Sequence, residues 1–200
     1  PGTLPVPEPA AFSEPATGLA LWAVVFAGGI GSRFWPLSTP DRPKPLLALV
    51  SESTLLGDTI GRLQPLIQPE RVLVVTSRDI ADAIRAALPD VPQENVLVEP
   101  RPLGTAAALA WGAQEVARRA GPTTAVCAIH ADLAVAFPGA YRESLRRAAA
   151  IATRENAVVA LGISPTRAES AFGYLRLGGA LDPDTPLTSG GAFHVAGFAE

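Results

Sequence analysis

Five short, almost wholly apolar runs alternate with four amphipathic stretches between Leu21 and Ile163. Continuous apolar runs of this length predict buried strands, and the longer periodic stretches predict helices. Apolar strands that alternate with helices are typical of a parallel sheet whose two faces are covered. The pattern therefore predicts the α/β class, with strands at 21–27, 71–76, 95–99, 124–130 and 156–163 and helices at 54–66, 78–88, 105–120 and 141–154.

Both ends of the chain depart from this alternation. Residues 1–19 contain five prolines and few side chains that could pack, so we expect a disordered leader there. After Ile163, residues 172–179 and 191–200 predict short strands that are joined by a loop rich in glycine and proline, without a helix between them. We expect one folded domain over residues 20–200.

Composition narrows the classes of partner. The net charge of −3 argues against a nucleic-acid surface, which calls for an excess of clustered basic residues. The single cysteine, Cys127, cannot form an internal disulfide, and we expect it to pack as a small apolar side chain. The sequence shows neither a signal peptide nor an apolar run of about 20 residues, so we expect a cytoplasmic protein without a membrane partner.

Three glycines and an arginine follow the first predicted strand. Ligands of a parallel sheet bind beyond the carboxyl ends of its strands, where Gly28, Gly29 and Gly31 lie. Glycine lets backbone N–H groups approach an anion, and the guanidinium of Arg33 can contact a phosphate through two nitrogens. The spacing fits neither the dinucleotide-binding motif nor the P-loop. The loop is therefore either a phosphate cradle of another kind or an ordinary tight turn.

Lys44 is the only lysine among 16 basic residues, and it stands in the same loop between Pro43 and Pro45. A lysine at this position of so lysine-poor a chain indicates a functional role. A flexible ammonium can follow the charge that develops on a phosphate oxygen as bonds change, and the flanking prolines restrict the backbone that carries it. We interpret Lys44 as a group that stabilises transition-state charge.

The stretch "AGGIGSRFWPLSTPDRPKPLL", residues 27–47, resembles the opening motif of the sugar-1-phosphate nucleotidyltransferases, A-G-G-x-G-[ST]-R-[LF]-x-P-L-[ST] followed by P-K-P-[LF]. With an aromatic residue at Trp35, the stretch resembles the mannose-1-phosphate guanylyltransferases in particular. The resemblance implies a Rossmann-like open, mostly parallel sheet with helices on both faces, the nucleotide-diphospho-sugar transferase fold. It also implies that Arg33 and Lys44 are catalytic, with Arg33 on the leaving pyrophosphate, and that the nucleotide is bound by Ala27, Gly28, Gly29, Gly31, Ser32 and Arg33.

The stretch "EPRPLGTAAALA", residues 99–110, stands where this family reads the base, which implies that Glu99, Gly104 and Thr105 bind the nucleotide. A carboxylate only accepts hydrogen bonds, and guanine presents two adjacent donors, so Glu99 favours guanine over uracil or thymine. Alternatively, Glu99 caps the next loop. "PLGTA" replaces the pattern of the commoner bacterial guanylyltransferases and recurs in glucose-1-phosphate nucleotidyltransferases, so the base stays open.

Asp132 follows the strand predicted at 124–130 and matches the aspartate that holds magnesium in this family. The resemblance therefore implies Mg²⁺ as cofactor and Asp132 as its catalytic metal ligand. Magnesium usually takes one or two carboxylates together with substrate phosphates. A loop or helix-capping aspartate is the alternative. The family often has histidine next, whereas this chain has Leu133, and we assign no role to His130.

The stretch "LGISPTRAESAFGYLRLG", residues 161–178, resembles the family's G-I-x-P-T-x-P-E-T-G-Y-G-Y-I and implies that Gly173 and Tyr174 contact the sugar. A plain β-hairpin is the alternative. "VAGFAE" resembles V-x-x-F-x-E-K-P and implies that Glu200 accepts hydrogen bonds from sugar hydroxyls. Because the lysine after this glutamate and the family's second metal-binding aspartate are not in the sequence, we expect residues 20–200 to be the N-terminal portion of an incomplete catalytic domain.

Together these motifs imply an enzyme. The phosphate of mannose-1-phosphate would attack the α-phosphorus of GTP in line, which yields GDP-mannose and pyrophosphate. Transfer of a uridylyl or thymidylyl group to glucose-1-phosphate is the first alternative, and a non-catalytic regulatory homologue that binds nucleotide-sugars is the second. The expected partners are a nucleoside triphosphate and a hexose-1-phosphate, and a homo-oligomer stays open.

Overall fold

The computed structural model describes residues 20–29, 31, 34–39, 42–181 and 191–199. The chain divides into two compact units, Pro1–Arg146 and Arg147–Glu200. The predicted leader lies outside the described residues. The strands are β1 (Leu21–Phe26), β2 (Val72–Ser77), β3 (Val96–Glu99), β4 (Ala125–His130), β5 (Tyr174–Ala180) and β6 (Phe193–Ala199), and the helices are α1 (Leu55–Gly61), α2 (Ala81–Ala87), α3 (Thr105–Ala120) and α4 (Pro138–Glu155).

The first unit contains a parallel sheet with the strand order β3-β2-β1-β4, flanked by helices. Phe26, the last residue of β1, is level with Val75 of β2 and His130 of β4, and Ser77 is level with Glu99. All four strands therefore end at one edge of the sheet. The predicted α/β fold is confirmed.

The centre of the sheet packs against α3. The buried cluster consists of Val24, Leu73 and Val75 from the strands and Ala108 and Val116 from the helix. Burial raises the pKa of the Cys127 thiol to about 12, which suits the predicted packing role. None of the helices in the described part of the chain has the length and apolar character needed to span a membrane.

Gly112 brings α3 close to β1, and this contact gives a prediction. A Cβ atom added at Gly112 would lie 2.6 Å from Cγ1 of Val24, so Gly112→Ala overpacks the core. We expect a loss of about 1–3 kcal/mol in the free energy of unfolding. Gly61→Ala is the matched control, because a Cβ at Gly61 meets no atom within 4 Å. Denaturant midpoints measure both variants, and a loss no larger than that of the control would contradict the close packing.

Two predicted elements differ most from the structure. The predicted helix 54–66 is shorter: Thr54 caps the start of α1 by accepting a hydrogen bond from the Gly57 backbone at 3.0 Å, and the helix ends at Gly61. Pro65 accounts for the absence of the predicted helix at residues 64–66, because a proline disfavours helical geometry at the residue before it.

The predicted strand at 156–163 is wrong. Among the described residues no strand pairs with it, and Val158 and Ile163 are 100% and 93% exposed. An apolar run becomes a strand only where a neighbouring strand supplies hydrogen-bonding partners. In the same unit, β5 and β6 do pair, as an antiparallel hairpin in the region where two short strands are predicted.

Candidate active site

The carboxyl edge of the sheet carries the loop that follows β1. The Ala27 backbone donates a hydrogen bond to the Val75 carbonyl at 2.9 Å, and the buried Thr76 hydroxyl donates to the Ala27 carbonyl at 3.0 Å. These bonds fix the start of the loop to β2. The glycines therefore leave the sheet from a rigid base.

Gly28 lies beside Glu99. A Cβ atom added at Gly28 would lie 3.5 Å from Oε2 of Glu99 and 3.8 Å from the Ser77 backbone nitrogen. The structure thus brings together a predicted phosphate-loop residue and the predicted base reader. The Ser77 hydroxyl is buried and has no hydrogen-bond partner among the described residues. No sequence motif marks Ser77, so its place beside this site is visible only in the fold.

Gly31 packs directly on Lys44. Its φ of +77° lies in the left-handed region, and a Cβ atom there would clash with Cβ of Lys44. Glycine is therefore required at this position for two reasons: the backbone conformation, and the lack of space for a Cβ atom. The Ser38 hydroxyl donates to the Gly31 carbonyl, a contact that holds the loop from its other side.

Lys44 and Asp132 meet although they are 88 residues apart in the chain. The Lys44 ammonium donates to Oδ2 of Asp132 at 2.7 Å, and it lies 4.3 Å from the centre of the Phe34 ring. Burial raises the pKa of the Asp132 carboxyl, but the hydrogen bond and charge of Lys44, with a smaller effect of His130, outweigh it and lower that pKa. The carboxylate is therefore held in its charged form.

The Asp132 carboxylate fits the role of one ligand of a divalent cation whose other ligands are substrate phosphates. The carboxylate already binds a cation, the Lys44 ammonium, and 42% of its side chain is exposed. Within the described residues, no three His, Cys, Asp or Glu side chains cluster as a closed metal cage would require. Magnesium is usually held in this way, by one or two carboxylates and the phosphates of the substrates.

The other predicted residues have different outcomes. Ser32, Arg33 and Glu200 lie outside the described residues. Gly104, with a φ of +88°, precedes the first residue of α3, Thr105, so both lie at a helix start where backbone N–H groups are unpaired.

Gly173 and Tyr174 lie in the second unit. The Tyr174 hydroxyl donates to the Glu169 carbonyl at 2.8 Å and accepts from the Glu169 backbone nitrogen at 2.9 Å. These two hydrogen bonds hold the ring in place. The ring lines an open cleft of about 860 Å³ together with residues 165–170. The predicted contact of Gly173 and Tyr174 with a sugar stays a prediction.

Phe34, Ser38 and His130 carry contacts that the sequence did not assign. Phe34 and Ser38 belong to the opening motif, which marks them, but their contacts with Lys44 and Gly31 depend on how the loop folds back. The His130 ring lies 5.3 Å from the Phe26 ring, in a tilted arrangement at the ends of two adjacent strands.

The family model described as nucleotidyl transferase matches residues 22–200 of the chain. The chain belongs to this family. The resemblance to the sugar-1-phosphate nucleotidyltransferases is thereby confirmed. Members of the nucleotidyl transferase family act on a nucleoside triphosphate and a sugar phosphate, and they generally use a divalent metal ion.

Curated relatives of this nucleotidyl transferase chain carry one name repeatedly. A mannose-1-phosphate guanylyltransferase of Sinorhizobium fredii is 34% identical over 164 residues, which are 80% of this chain and 31% of that protein. The mannose-1-phosphate guanylyltransferase ManC of Salmonella typhimurium is 36% identical over 185 residues, 90% of this chain and 37% of that protein. The chain thus spans about a third of the length of these relatives.

A solved structure is also similar to this nucleotidyl transferase chain. It is a crystal structure from Thermus thermophilus whose protein is named mannose-1-phosphate geranyltransferase. The TM-score is 0.78 at 38% sequence identity, and the match covers 91% of this chain and 50% of the other. The similarity agrees with the α/β fold described above.

Proposed function

We propose that this chain is part of a mannose-1-phosphate guanylyltransferase, which forms GDP-mannose and pyrophosphate from mannose-1-phosphate and GTP. The observation that carries the proposal is the contact of Lys44 with Asp132 beside the glycine loop, which is the loop after β1 that contains Gly28, Gly29 and Gly31. A mobile cation and a carboxylate at the end of parallel strands suit phosphoryl-group chemistry, which depends on position and charge. The names of the relatives supply the substrates of the proposal.

In this mechanism the protein forms no covalent intermediate. The backbone of Ala27, Gly28, Gly29 and Gly31 would cradle the triphosphate, and Ser32 and Arg33 would complete that loop, with Arg33 on the pyrophosphate. The Lys44 ammonium would stabilise the charge that develops as the sugar phosphate attacks the α-phosphorus. Asp132 would hold Mg²⁺, which would supply positive charge to the substrate phosphates.

The two ends of the substrate complex would be read by different residues. Glu99, beside Gly28, would accept hydrogen bonds from guanine, with Gly104 and Thr105 at the start of α3 next to the base. Gly173, Tyr174 and Glu200 would bind the sugar. We further propose that the protein works in the cytoplasm and does not bind nucleic acid. The net charge of −3 supports the second point, because a nucleic-acid surface needs an excess of basic residues.

The test is Mg²⁺-dependent release of pyrophosphate from mannose-1-phosphate and glucose-1-phosphate, each with GTP, UTP, dTTP and ATP. We expect release with mannose-1-phosphate and GTP, and Glu99→Gln should reduce the preference for GTP over UTP about tenfold, since one carboxylate acceptor becomes a donor. Release only with glucose-1-phosphate and UTP or dTTP would replace the substrates proposed here. Nucleotide binding by calorimetry without release would indicate the non-catalytic homologue instead.

A further inference from the structure

We propose that Lys44 occupies the cation position on Asp132 in the substrate-free protein, and that a divalent metal ion binds this carboxylate more tightly once a triphosphate has drawn the ammonium away. The inference rests on the proposed function, and it adds an order of events to it. Lys44 would then have two successive anionic partners, first Asp132 and then the triphosphate.

The contact itself carries the first step. The ammonium donates to Oδ2 of Asp132 at 2.7 Å. This length is typical of a charge-assisted hydrogen bond, which is stronger than a hydrogen bond between neutral groups. A metal ion that coordinated this carboxylate would approach the same ammonium, and two positive charges would then share one negative one. The metal and Lys44 therefore compete for Asp132, because their mutual repulsion disfavours simultaneous contact.

The surroundings of Lys44 keep its ammonium at Asp132. Its carbon chain packs against Gly31, and Pro43 and Pro45 on either side of it are buried. The face of the Phe34 ring lies under the ammonium, an arrangement that favours a cation there. Only 20% of the Lys44 side chain is exposed, so the ammonium has few other positions in the absence of an anion.

A bound triphosphate offers what is needed to move the ammonium. The contact with Gly31 places Lys44 against the glycine loop, so a phosphate in that loop lies within reach of its flexible side chain. A triphosphate carries more negative charge than one carboxylate, and it therefore attracts the ammonium more strongly. Once Lys44 has moved, Asp132 is a free carboxylate beside a phosphate, which is the kind of ligand pair that magnesium prefers.

The first experiment measures Mn²⁺ binding by electron paramagnetic resonance, without nucleotide or sugar. We expect Lys44→Met, which keeps the carbon chain and removes the charge, to bind Mn²⁺ about threefold to tenfold more tightly than the wild type. Lys44→Arg keeps the charge and should bind as weakly as the wild type. Asp132→Asn should remove the gain when it is combined with Lys44→Met.

Arg71→Met is the matched control for net charge. Arg71 precedes β2 and so lies at the opposite edge of the sheet from Asp132, where the loss of one positive charge should leave Mn²⁺ affinity unchanged. Equal affinity of Lys44→Met and the wild type, or no detectable binding to either, would overturn the proposal. The same gain in Arg71→Met would also overturn it, because net charge alone would then explain the effect.

The second experiment uses the wild type and the fact that Lys44 is the chain's only lysine. Reductive methylation with ¹³C-formaldehyde gives one side-chain ammonium signal in nuclear magnetic resonance spectra. We expect inorganic triphosphate without metal to move this signal toward its position in Asp132→Asn, and we expect Mg²⁺ alone, at the concentration that half-saturates Lys44→Met, to move it far less. A signal that Mg²⁺ alone moves as far as triphosphate does would contradict the proposed order. Both experiments read binding without turnover, so a failed transferase assay would not be mistaken for their failure.

Discussion

Lys44→Ala is expected to lower turnover by about 10²–10³-fold and to change nucleotide affinity far less. The ammonium would exchange Asp132 for the triphosphate when nucleotide binds, so its largest effect would be on the charge that develops as the phosphorus is attacked, and removal of one such stabilising group typically has an effect of this size. An interaction that is made in the transition state lowers kcat and kcat/KM together when it is lost. The measurements are steady-state pyrophosphate release and nucleotide titration by calorimetry.

Lys44→Arg and Arg71→Ala are the controls for this prediction. The arginine variant keeps a positive charge but replaces a compact ammonium with a planar group, so partial activity is expected. Arg71→Ala removes a charge at the far edge of the sheet and should turn over at the wild-type rate. If Lys44→Ala weakened nucleotide binding by the same factor as turnover, Lys44 would be a binding group and not a transition-state group.

The parallel sheet could be predicted because its signal is local. Each of the strands β1 to β4 is a largely apolar run, and the observed bounds of β1, Leu21–Phe26, differ by one residue from those predicted. The run at 156–163 has a similar composition but forms no strand among the described residues. Composition sets the tendency to form a strand, whereas pairing depends on a neighbour that can lie anywhere in the chain.

The candidate site could be predicted in part. The carboxyl ends of parallel strands share an edge, so the sequence predicts that Gly28, Glu99 and Asp132 lie on one side of the sheet. It could not predict that Lys44 directly contacts Asp132, because this contact depends on the path of the loop that follows β1. Ser77 was missed for a related reason: a serine at a strand end carries no signal until the fold buries its hydroxyl, which has no partner among the described residues.

Gly31→Ala is expected to lower both stability and turnover. The left-handed φ of +77° at Gly31 disfavours any residue with a Cβ atom by about 1–2 kcal/mol. The new Cβ would also clash with Cβ of Lys44, an atom fixed to the backbone that cannot rotate away. We therefore expect Lys44 to shift, and a shift of about 1 Å in a catalytic group can reduce turnover about 10²-fold.

Gly121→Ala separates the two effects of this change. Gly121 follows α3 with a φ of +97°, and a Cβ atom there meets nothing within 4 Å, so the variant carries backbone strain without a contact near Lys44. We expect it to lose stability in denaturant unfolding and to keep wild-type turnover. Since only the contact at Gly31 reaches the catalytic ammonium, turnover of the folded Gly31→Ala protein equal to that of Gly121→Ala would show that Gly31 does not position Lys44.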